Sequence, residues 1–552
     1  MLSFRPRLLD ELRGYDRAKL LGDLSAGLTV AAVALPLAMA FAIASGLKPE
    51  AGLFTAIVAG FLISALGGSR IQIGGPAGAF VVVVYAIVER YGVANLLLAT
   101  ILAGALLFLM GVFRLGNLVR FVPVTIVIGF TNGIAVIIIL SQLPDFFGLR
   151  TGPLPADFLL KLRALAQAAP TADAVTVALG VASLGVIWGW PRLWRSGTGV
   201  FARVMQHVPG TIVGLALGTA AVVLLHLQVA TIGTRFGGIP DSLPHFTWAQ
   251  IGWPEVSLLF GPAFTIAVLG AIESLLCARV ADAVIEDRHD PNQELMAQGI
   301  ANIAAPLFGG FCATGTIART MTNVRSGART PVAGMVHALA LLASVAAAAP
   351  LARHIPLATL AAVLLYVAYH MGEWHEFARL RQFSTYYKVV LLTTFFLTVV
   401  VDLTVAVQVG LVLACLFFIA RISGLTRVEP IQEIEERMAG VDARSTEAFR
   451  ISGSLFFGAV SKMDGLLDPR RRMPKVMILD LSQLLNMDNT GLETLETLHA
   501  MLRKHAGALI LCGLREQPKW LVGQSGLASA LGPGSVVETL ADAFRRAREL
   551  AA

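Results

Sequence analysis

Long apolar runs, separated by short polar connections, fill most of the first 421 residues. A membrane-spanning helix needs about 20 predominantly apolar residues. Fourteen stretches are apolar enough to be considered, seven in each half of this region, although the shortest could not cross a bilayer alone. They lie near residues 24–44, 52–67, 76–89, 95–113, 121–141, 173–189, 208–226, 258–279, 295–312, 315–325, 332–350, 356–371, 386–402 and 403–421. The pattern predicts an α-helical polytopic membrane protein of fourteen segments.

The odd number of segments in each half predicts that the two halves enter the membrane from opposite sides. With the N-terminus in the cytoplasm, 19 basic residues fall on cytoplasmic connections and seven on the outer side. This asymmetry is typical of membrane proteins. Both termini are then cytoplasmic, and related halves would form a 7+7 inverted repeat.

The two shortest segments, each the third of its half, are interrupted by small residues. The interruptions are GGPAG at 74–78 and ATGT at 313–316. Interrupted segments at matching positions of two repeats indicate a transporter's binding site near the middle of the membrane. A helix that begins there presents unpaired N–H groups and about half a positive charge, which suits an anion. The alternative is that these residues only kink tightly packed helices.

Two charged residues deep in the predicted segments require an explanation. Glu273 lies within AVLGAIESLLCA, and a charged side chain at the centre of a membrane helix costs on the order of 2.5–3.5 kcal/mol on insertion scales. Glu273 is therefore protonated for part of a transport cycle, binds a cation, or pairs with a basic group. Arg319 is the basic residue that the topology leaves inside the membrane. An ion pair between the two is the structural alternative, and it is compatible with transport.

The charged residues divide the chain into two unlike parts. Overall, 14% of the 552 residues are charged and 56% are hydrophobic, which excludes a soluble multidomain enzyme and a disordered chain. From Arg427 onward, 32 of 126 residues are charged, 16 basic and 16 acidic, so the net charge of +7 belongs wholly to the membrane part. We predict an N-terminal cytoplasmic segment at 1–20, a transmembrane domain at 21–426, a linker at 427–444 and a soluble domain at 445–552. The neutral tail argues against a nucleic-acid partner.

Several long motifs resemble the sulfate permease (SulP) family, also called solute carrier family 26. GDLSAGLTVAAVALPLAMAFAIASGLKPEAGLF at 22–54 resembles its first span, and the signature that ends at Arg70 fits apart from Ala51 and Phe54, where tyrosines are usual. GGPAGAF, IESLLCARVAD and FGGFCATGTIARTMTNVRSGARTPVAG resemble its third, eighth and tenth segments. The resemblance implies a core domain of segments 1–4 and 8–11 that moves against a gate domain of segments 5–7 and 12–14.

By position, the resemblance also implies an anion site between the N-termini of the third and tenth segments. Its lining residues would be Leu37, Phe41, Ala77, Gly78, Ala318 and Arg319. Glu273 matches an Asp that helps to bind the ion in sodium-coupled relatives, and Cys277 stands where those relatives have a hydroxyl residue. Because sodium prefers small oxygen ligands, both replacements favour proton coupling through Glu273. Leu37 replaces a Gln of many relatives, so their choice of substrate does not transfer directly.

The tail alternates predicted strands and helices and resembles the STAS domain that ends many members of this family. FRISGSLFFGAV predicts a strand pair, KVMILDL (475–481) and ALILCGL (508–514) predict buried strands, and the runs from Asn489 and from Val536 predict helices. Phosphorylatable relatives carry Asp-Ser-Ser-Gly at the first long helix, whereas this chain has DNTG at 488–491. The usual acceptor is replaced by Asn489. Thr490 remains open to modification, and it is expected to cap the helix.

These observations predict a secondary active transporter of a small anion, a sulfate-type inorganic anion or a C4-dicarboxylate, driven by proton symport. Sodium-coupled bicarbonate transport and a passive anion channel on the same fold are the alternatives. We expect a homodimer in the bacterial inner membrane and a possible cytosolic partner for the tail, without cofactor or metal. No nucleophile, base and orienting residue occur together in the sequence, so nothing predicts an enzyme.

Overall fold

The computed structural model describes residues 4–117, 122–152, 154–155, 157–194, 205, 208–238, 246, 253–431 and 445–551. Helices occupy all fourteen predicted segments, and the third and fourth share one helix that Gly92 interrupts with a φ of 82°. In chain order the helices are α1 (Arg7–Glu11), α2 (Arg17–Ala44), α3 (Pro49–Leu66), α4 (Gly78–Val112), α5 (Val124–Phe147), α6 (Phe158–Ala168), α7 (Ala174–Trp194), α8 (Gly210–Leu224), α9 (Ile232–Phe236), α10 (Trp253–Ile285), α11 (Pro291–Leu307), α12 (Ile317–Arg325), α13 (Val332–Ala352), α14 (Leu357–Met371), α15 (Trp374–Ala378), α16 (Thr385–Val400) and α17 (Leu403–Leu425). Within the described ranges, seven helices are long and apolar enough to cross a membrane.

Local sequence signals explain where several of these helices begin and end. The Asp16 carboxylate accepts from the backbone N–H of Lys19 at 2.8 Å and caps α2. Asp290 caps α11, whose first residue is a proline. Both are favoured arrangements for a helix start. Gly148, with a φ of 65°, ends α5 in the left-handed conformation that glycine adopts readily.

The helix packing is symmetric between the two halves. Helix α4 packs against α10 and α11, and α13 packs against α2 and α3, so exchanging the halves reproduces the same set of neighbours. The remaining helices form a second group in which α5 packs against α14 and α16, and α7 against α8 and α14. The first group is the core and the second the gate of the implied architecture. The fold is therefore the expected inverted repeat of core and gate domains.

Small residues allow the core helices to approach closely. At Gly104 in α4 an added Cβ would lie 2.7 Å from the carbonyl oxygen of Gly299 in α11, and the reverse substitution would place a Cβ 2.7 Å from the Gly104 oxygen. At either distance the new Cβ would clash with the carbonyl oxygen, so the two helices would have to move apart. Close contact between glycines is a common way for membrane helices to associate.

Two short strands join the halves in the middle of the core. Strand β1 (Gly74–Gly75) precedes α4, and β2 (Thr314–Gly315) precedes α12. They pair in antiparallel orientation, with Gly74 opposite Gly315 and Gly75 opposite Thr314. The antiparallel pairing makes the two interrupted segments run in opposite directions, as an inverted repeat requires.

The tail contains one six-stranded sheet. Its strands are β3 (Arg427–Pro430), β4 (Thr446–Leu455), β5 (Val476–Asp480), β6 (Leu484–Met487), β7 (Ala508–Cys512) and β8 (Val536–Val537), in the order β3-β4-β5-β7-β8 with β6 beside β4. Its helices are α18 (Asp464–Leu467), α19 (Asn489–Lys504), α20 (Glu516–Gln524), α21 (Leu527–Leu531) and α22 (Leu540–Ala551). Alternate residues of β5 face α19 and α22, so apolar clusters fill both sides of the sheet.

The structure departs from the sequence analysis of the tail in three places. FRISGSLFFGAV is not a strand pair: it contains the end of β4, whose antiparallel partner is β3. The predicted linker begins with that edge strand, and its residues 432–444 lie outside the described residues. The cap of α19 is Asp488 rather than Thr490, because the Asp488 carboxylate accepts from the N–H of Gly491 at 2.9 Å. The buried strands and the helix from Asn489 are confirmed. The last helix is confirmed from Leu540 onward, because Val536–Val537 forms strand β8.

Candidate functional site

The pairing of β1 with β2 brings the N-terminal ends of α4 and α12 to one place in the core. The residues before the two helices are Ala77 and Thr316, and neither side chain accepts a hydrogen bond from its own helix's first turn. The hydroxyl of Thr316 instead donates to the carbonyl oxygen of Ile73 at 3.0 Å, which ties one half to the other. Two helix ends without side-chain caps thus face the same region, and both favour negative charge.

Residues of three helices surround the start of α4. An added Cβ at Gly78 would lie 3.4 Å from the Phe41 ring in α2, 3.5 Å from Ile138 in α5 and 3.3 Å from Met371 in α14. Phe41 belongs to the core, whereas Ile138 and Met371 belong to the gate. Leu37, one turn earlier in α2, is buried like Phe41. The start of α4 therefore lies at the boundary between core and gate.

The six predicted anion-site residues occupy three different settings. Leu37, Phe41, Ala77 and Gly78 are buried near the start of α4, whereas Ala318 is exposed in the first turn of α12. The Arg319 side chain is only 1% exposed and lies against the loop that precedes α4.

We refer to the paired strands β1 and β2 as the crossing. The Arg319 side chain lies against β1. Its guanidinium donates to the carbonyl oxygen of Pro76, and an added Cβ at Gly75 would lie 2.6 Å from its Nη1. Nη1 itself is buried without a hydrogen-bond partner among the described residues. The positive charge therefore lies next to Gly75 and Pro76, just before α4 begins. There it adds to the positive electrostatic potential of the helix N-terminus.

Glu273 does not form the ion pair that was the structural alternative. Within the described part of the chain, its carboxyl group has no salt bridge to Arg319 and no hydrogen bond, and the side chain is partly buried in α10. Cys277, one turn later, lies with its Sγ 3.3 Å from the hydroxyl of Thr320 in α12. That hydroxyl also accepts from the N–H of Ile73 at 2.9 Å. The predicted coupling position is therefore close in the fold to both interrupted segments, without a neutralising partner.

A buried polar chain beside the crossing was missed from the sequence. Gln72, Ser274 and Glu294 are nearly or fully inaccessible and are joined by hydrogen bonds. Glu294 lies one turn after the proline that begins α11, where an acidic residue is ordinary at a helix start. The sequence feature that could have predicted its burial is the apolar run that directly follows Glu294.

A cavity of about 1030 Å³ lies on the boundary between core and gate. It begins one turn beyond Gly78, at Val81 and Val82, and continues along α4 to Arg90. Its other walls come from α2, α5, α6, α9, α10, α16 and α17, and the buried Lys161 lines it. None of the six predicted anion-site residues lines it. The cavity is adjacent to the crossing and does not include it. Among the described residues, no cluster of three or more His, Cys, Asp or Glu could hold a metal ion.

Comparisons with known proteins agree with this architecture. The model of the sulfate permease family matches residues 20–394, and the STAS domain model matches residues 442–543. The chain is 40% identical to the "Putative sulfate transporter YvdB" of Bacillus subtilis over 528 residues, which cover 95% of this chain and 97% of that protein. It is 30% identical to the bicarbonate transporter BicA of Picosynechococcus over 459 residues, 79% of each chain.

Solved structures show the same fold. The transmembrane domain of a cyanobacterial BicA aligns with a TM-score of 0.62 at 30% identity, covering 71% of this chain and 98% of that one. Murine Slc26a9, described as inward-facing, aligns with a TM-score of 0.85 at 16% identity over 98% of this chain and 94% of that one. The family match covers more than half of the chain, and the structural match extends over the membrane part and the tail. The chain therefore belongs to the sulfate permease family of anion transporters and carries a C-terminal STAS domain.

Proposed function

We propose that this protein is a secondary active transporter that moves a small anion by alternating access and uses proton symport to drive it. The observation that carries the proposal is the pairing of β1 with β2, which directs two helix N-termini without side-chain caps at one region of the membrane core. Interrupted helices of this kind supply the binding sites of many transporters built from inverted repeats. The site is formed by Leu37, Phe41, Ala77, Gly78 and Ala318, with the charge of Arg319 behind it.

The electrostatics of this site favour an anion. Each helix end contributes about half a positive charge, and the guanidinium of Arg319 lies against the loop that precedes α4. In a region screened from water these charges act more strongly than they would at a surface. A cation would meet repulsion from all three sources. The small residues Ala77, Gly78 and Ala318 have no long side chain that would cover the backbone N–H groups.

Glu273 supports proton coupling. A carboxylate inside the membrane is costly unless it is neutralised, and Glu273 forms no ion pair or hydrogen bond among the described residues. Protonation is the simplest neutralisation. Sodium coupling would need further oxygen ligands, and the side chain one turn later is the thiol of Cys277, which lies against Thr320. We therefore prefer proton symport to the sodium-coupled alternative.

The contacts at Gly78 suggest how transport proceeds. Ile138 and Met371 of the gate and Phe41 of the core approach the same glycine. A movement of the core against the gate would separate these side chains and change the side from which the site is reached. The cavity next to the site lies on the same boundary. Movement along this boundary is what alternating access requires of two packed domains.

The substrate class is a small oxyanion or a C4-dicarboxylate. The most extensively matching relative reported above is named for sulfate and another for bicarbonate, and both are anions that backbone N–H groups can bind. We further propose a homodimer in the bacterial inner membrane, with both termini in the cytoplasm and the tail available to a cytosolic partner. A passive anion channel on the same fold is the alternative function.

Uptake into proteoliposomes tests the proposal. The purified protein is reconstituted, and accumulation of labelled sulfate is measured with and without an inward proton gradient, with unlabelled bicarbonate and succinate as competitors. We expect accumulation above the external concentration only with the gradient, and competition that ranks the three anions. Equilibration without accumulation would indicate the channel, and accumulation that follows a sodium gradient would indicate the other symport.

A further inference from the structure

Glu294 is a buried carboxylate whose hydrogen bonds all come from neutral donors. It is fully inaccessible in α11. Its Oε2 accepts from the backbone N–H groups of Gly68 and Ser69 at 3.0 and 3.1 Å, and its Oε1 accepts from the amide of Gln298 at 3.0 Å and the hydroxyl of Ser274 at 3.5 Å. No basic side chain in the described ranges forms an ion pair with it. The carboxylate is thus stabilised by four donors, two of which belong to the loop before β1.

The same hydrogen-bonded chain continues to both strands of the crossing. The amide nitrogen of Gln72 donates to the carbonyl oxygen of Ser274 at 3.2 Å and to its hydroxyl at 3.1 Å. Gln72 lies two residues before β1. Its amide also lies against Gly315 of β2, where an added Cβ would come within 1.6 Å of the amide nitrogen. Glu294, Ser274 and Gln72 therefore link α11 and α10 to both strands that carry the anion site.

We propose that Glu294 is a positioning residue for the anion site, a role that rests on the proposed function. Strands β1 and β2 have only two residues each, so their own pairing offers few hydrogen bonds to fix their alignment. Glu294 holds the loop at Gly68 and Ser69, and through Ser274 it orients the Gln72 amide against β2. Without these bonds the starts of α4 and α12 would lose the mutual alignment that concentrates their potential on an anion.

The local geometry separates a positioning role from a charge role. Gln298 donates to Glu294 through its amide nitrogen, and its own amide oxygen is buried without a partner in the described part of the chain. In Glu294→Gln, the new amide oxygen can accept from Gly68 and Ser69 while the new amide nitrogen donates to a flipped Gln298. The Ser274 hydroxyl loses its acceptor at Oε1, but it can turn and accept from the second hydrogen of the new amide nitrogen. This variant keeps a hydrogen bond to each of the four partners, with the Ser274 bond reversed, and removes the charge. Glu294→Ala removes both.

The experiment measures the concentration dependence of labelled sulfate counterflow in proteoliposomes without a proton gradient. We expect Glu294→Ala to raise the KM about tenfold, a free-energy change about as large as one hydrogen bond of moderate strength. Glu294→Gln should stay within about twofold of the wild type and should retain gradient-driven uptake. Gln72→Met fills similar space without the bonds to Ser274 and should raise the KM severalfold. If Glu294→Ala does not fold, this variant tests the positioning role in its place.

The matched control is Asp23→Asn. Asp23 is also a fully buried core carboxylate that accepts two backbone N–H groups, those of Arg329 and Thr330, but it holds the loop before α13 and has no bond to β1 or β2. We expect Asp23→Asn to lower the thermal stability of the protein and to leave the KM for sulfate unchanged. An unchanged KM in both Glu294→Ala and Gln72→Met, or equal defects in Glu294→Gln and Glu294→Ala, would overturn the positioning role. A wild-type protein that moves no anion would overturn the proposed function itself.

Discussion

Arg319 in the second half of the repeat donates a hydrogen bond to the carbonyl oxygen of Pro76 in the first half. The two residues lie beside the paired strands, and the guanidinium is held under the backbone that leads into α4. One buried side chain therefore connects the two interrupted segments and also supplies positive charge to the region between their helix ends.

Replacing Arg319 should affect both stability and transport. Arg319→Met keeps an unbranched side chain but removes the donor, so the buried oxygen of Pro76 loses its partner at a cost of about 1–3 kcal/mol. The loss of a unit charge near the site should also lower sulfate uptake about tenfold or more. Thermal unfolding and uptake of the reconstituted variant measure the two effects. Uptake equal to that of the wild type would show that the charge does not act on the anion.

Position 75 requires a glycine because the Arg319 side chain lies against it. Gly75 has a φ of 151°, and an added Cβ would lie 2.6 Å from Nη1 of Arg319. We expect Gly75→Ala to displace the guanidinium or β1, with a cost of about 1–3 kcal/mol and a strong loss of sulfate uptake. Gly185→Ala in α7 is the control, because no atom of the described residues lies within 4 Å of a Cβ added there. Equal uptake by the two variants would contradict the proposed geometry.

Much of this arrangement could be predicted from the sequence, for a physical reason. The length of the apolar runs identifies membrane segments, so the fourteen segments could be predicted. Small residues at matching positions show where helices begin inside the membrane, so the meeting of two helix ends could be predicted as well. The direction of the Arg319 side chain did not follow, because it depends on a carbonyl oxygen 243 positions away in the sequence. Glu294 was missed for the same reason: three of its four donors come from a distant loop and from another helix.

The tail shows the same limit. Arg427–Pro430 was assigned to a linker because it is short and contains two charged residues and a proline. It becomes a strand only through its antiparallel pairing with β4, from Arg427 opposite Ser452 to Pro430 opposite Phe449. Periodicity within four residues cannot reveal such a partner. The buried strands β5 and β7 were predictable because they consist of continuous apolar residues.

The correction at α19 can be tested by two neighbouring substitutions. Asp488 accepts from the N–H of Gly491 and, through its other oxygen, from the N–H of Phe457 at 3.1 Å. Asp488→Ala should therefore lower the stability of the tail by about 1–2 kcal/mol. Thr490→Ala should have little effect on it. Hydrogen exchange in α19 of the intact protein measures both, and greater loss of protection in Thr490→Ala would contradict the assignment of the cap.

We expect the stability of the tail to depend on pH through Asp480, at the end of β5. Burial alone would raise its pKa, but hydrogen bonds from Ser482 and Arg450 outweigh this and hold the pKa below its ordinary value of 3.8. The stabilisation is therefore complete above the pKa of the unfolded state and is lost as the pH falls through the lower folded value. Hydrogen exchange in β5 should show Asp480→Asn less protected than the wild type at pH 7, with a difference that shrinks at the most acidic pH values. An undiminished difference there would exclude this ionisation as its cause.

The central claim is that protonation of Glu273 couples the proton gradient to anion transport, and gradient-driven accumulation of labelled sulfate tests it most directly. Glu273→Gln is compared with the wild type and with Glu286→Gln, whose carboxyl group is exposed one residue beyond the end of the same helix. We predict that Glu273→Gln retains sulfate counterflow but loses accumulation driven by an inward proton gradient, whereas Glu286→Gln accumulates sulfate as the wild type does. Undiminished gradient-driven accumulation by Glu273→Gln would contradict the claim.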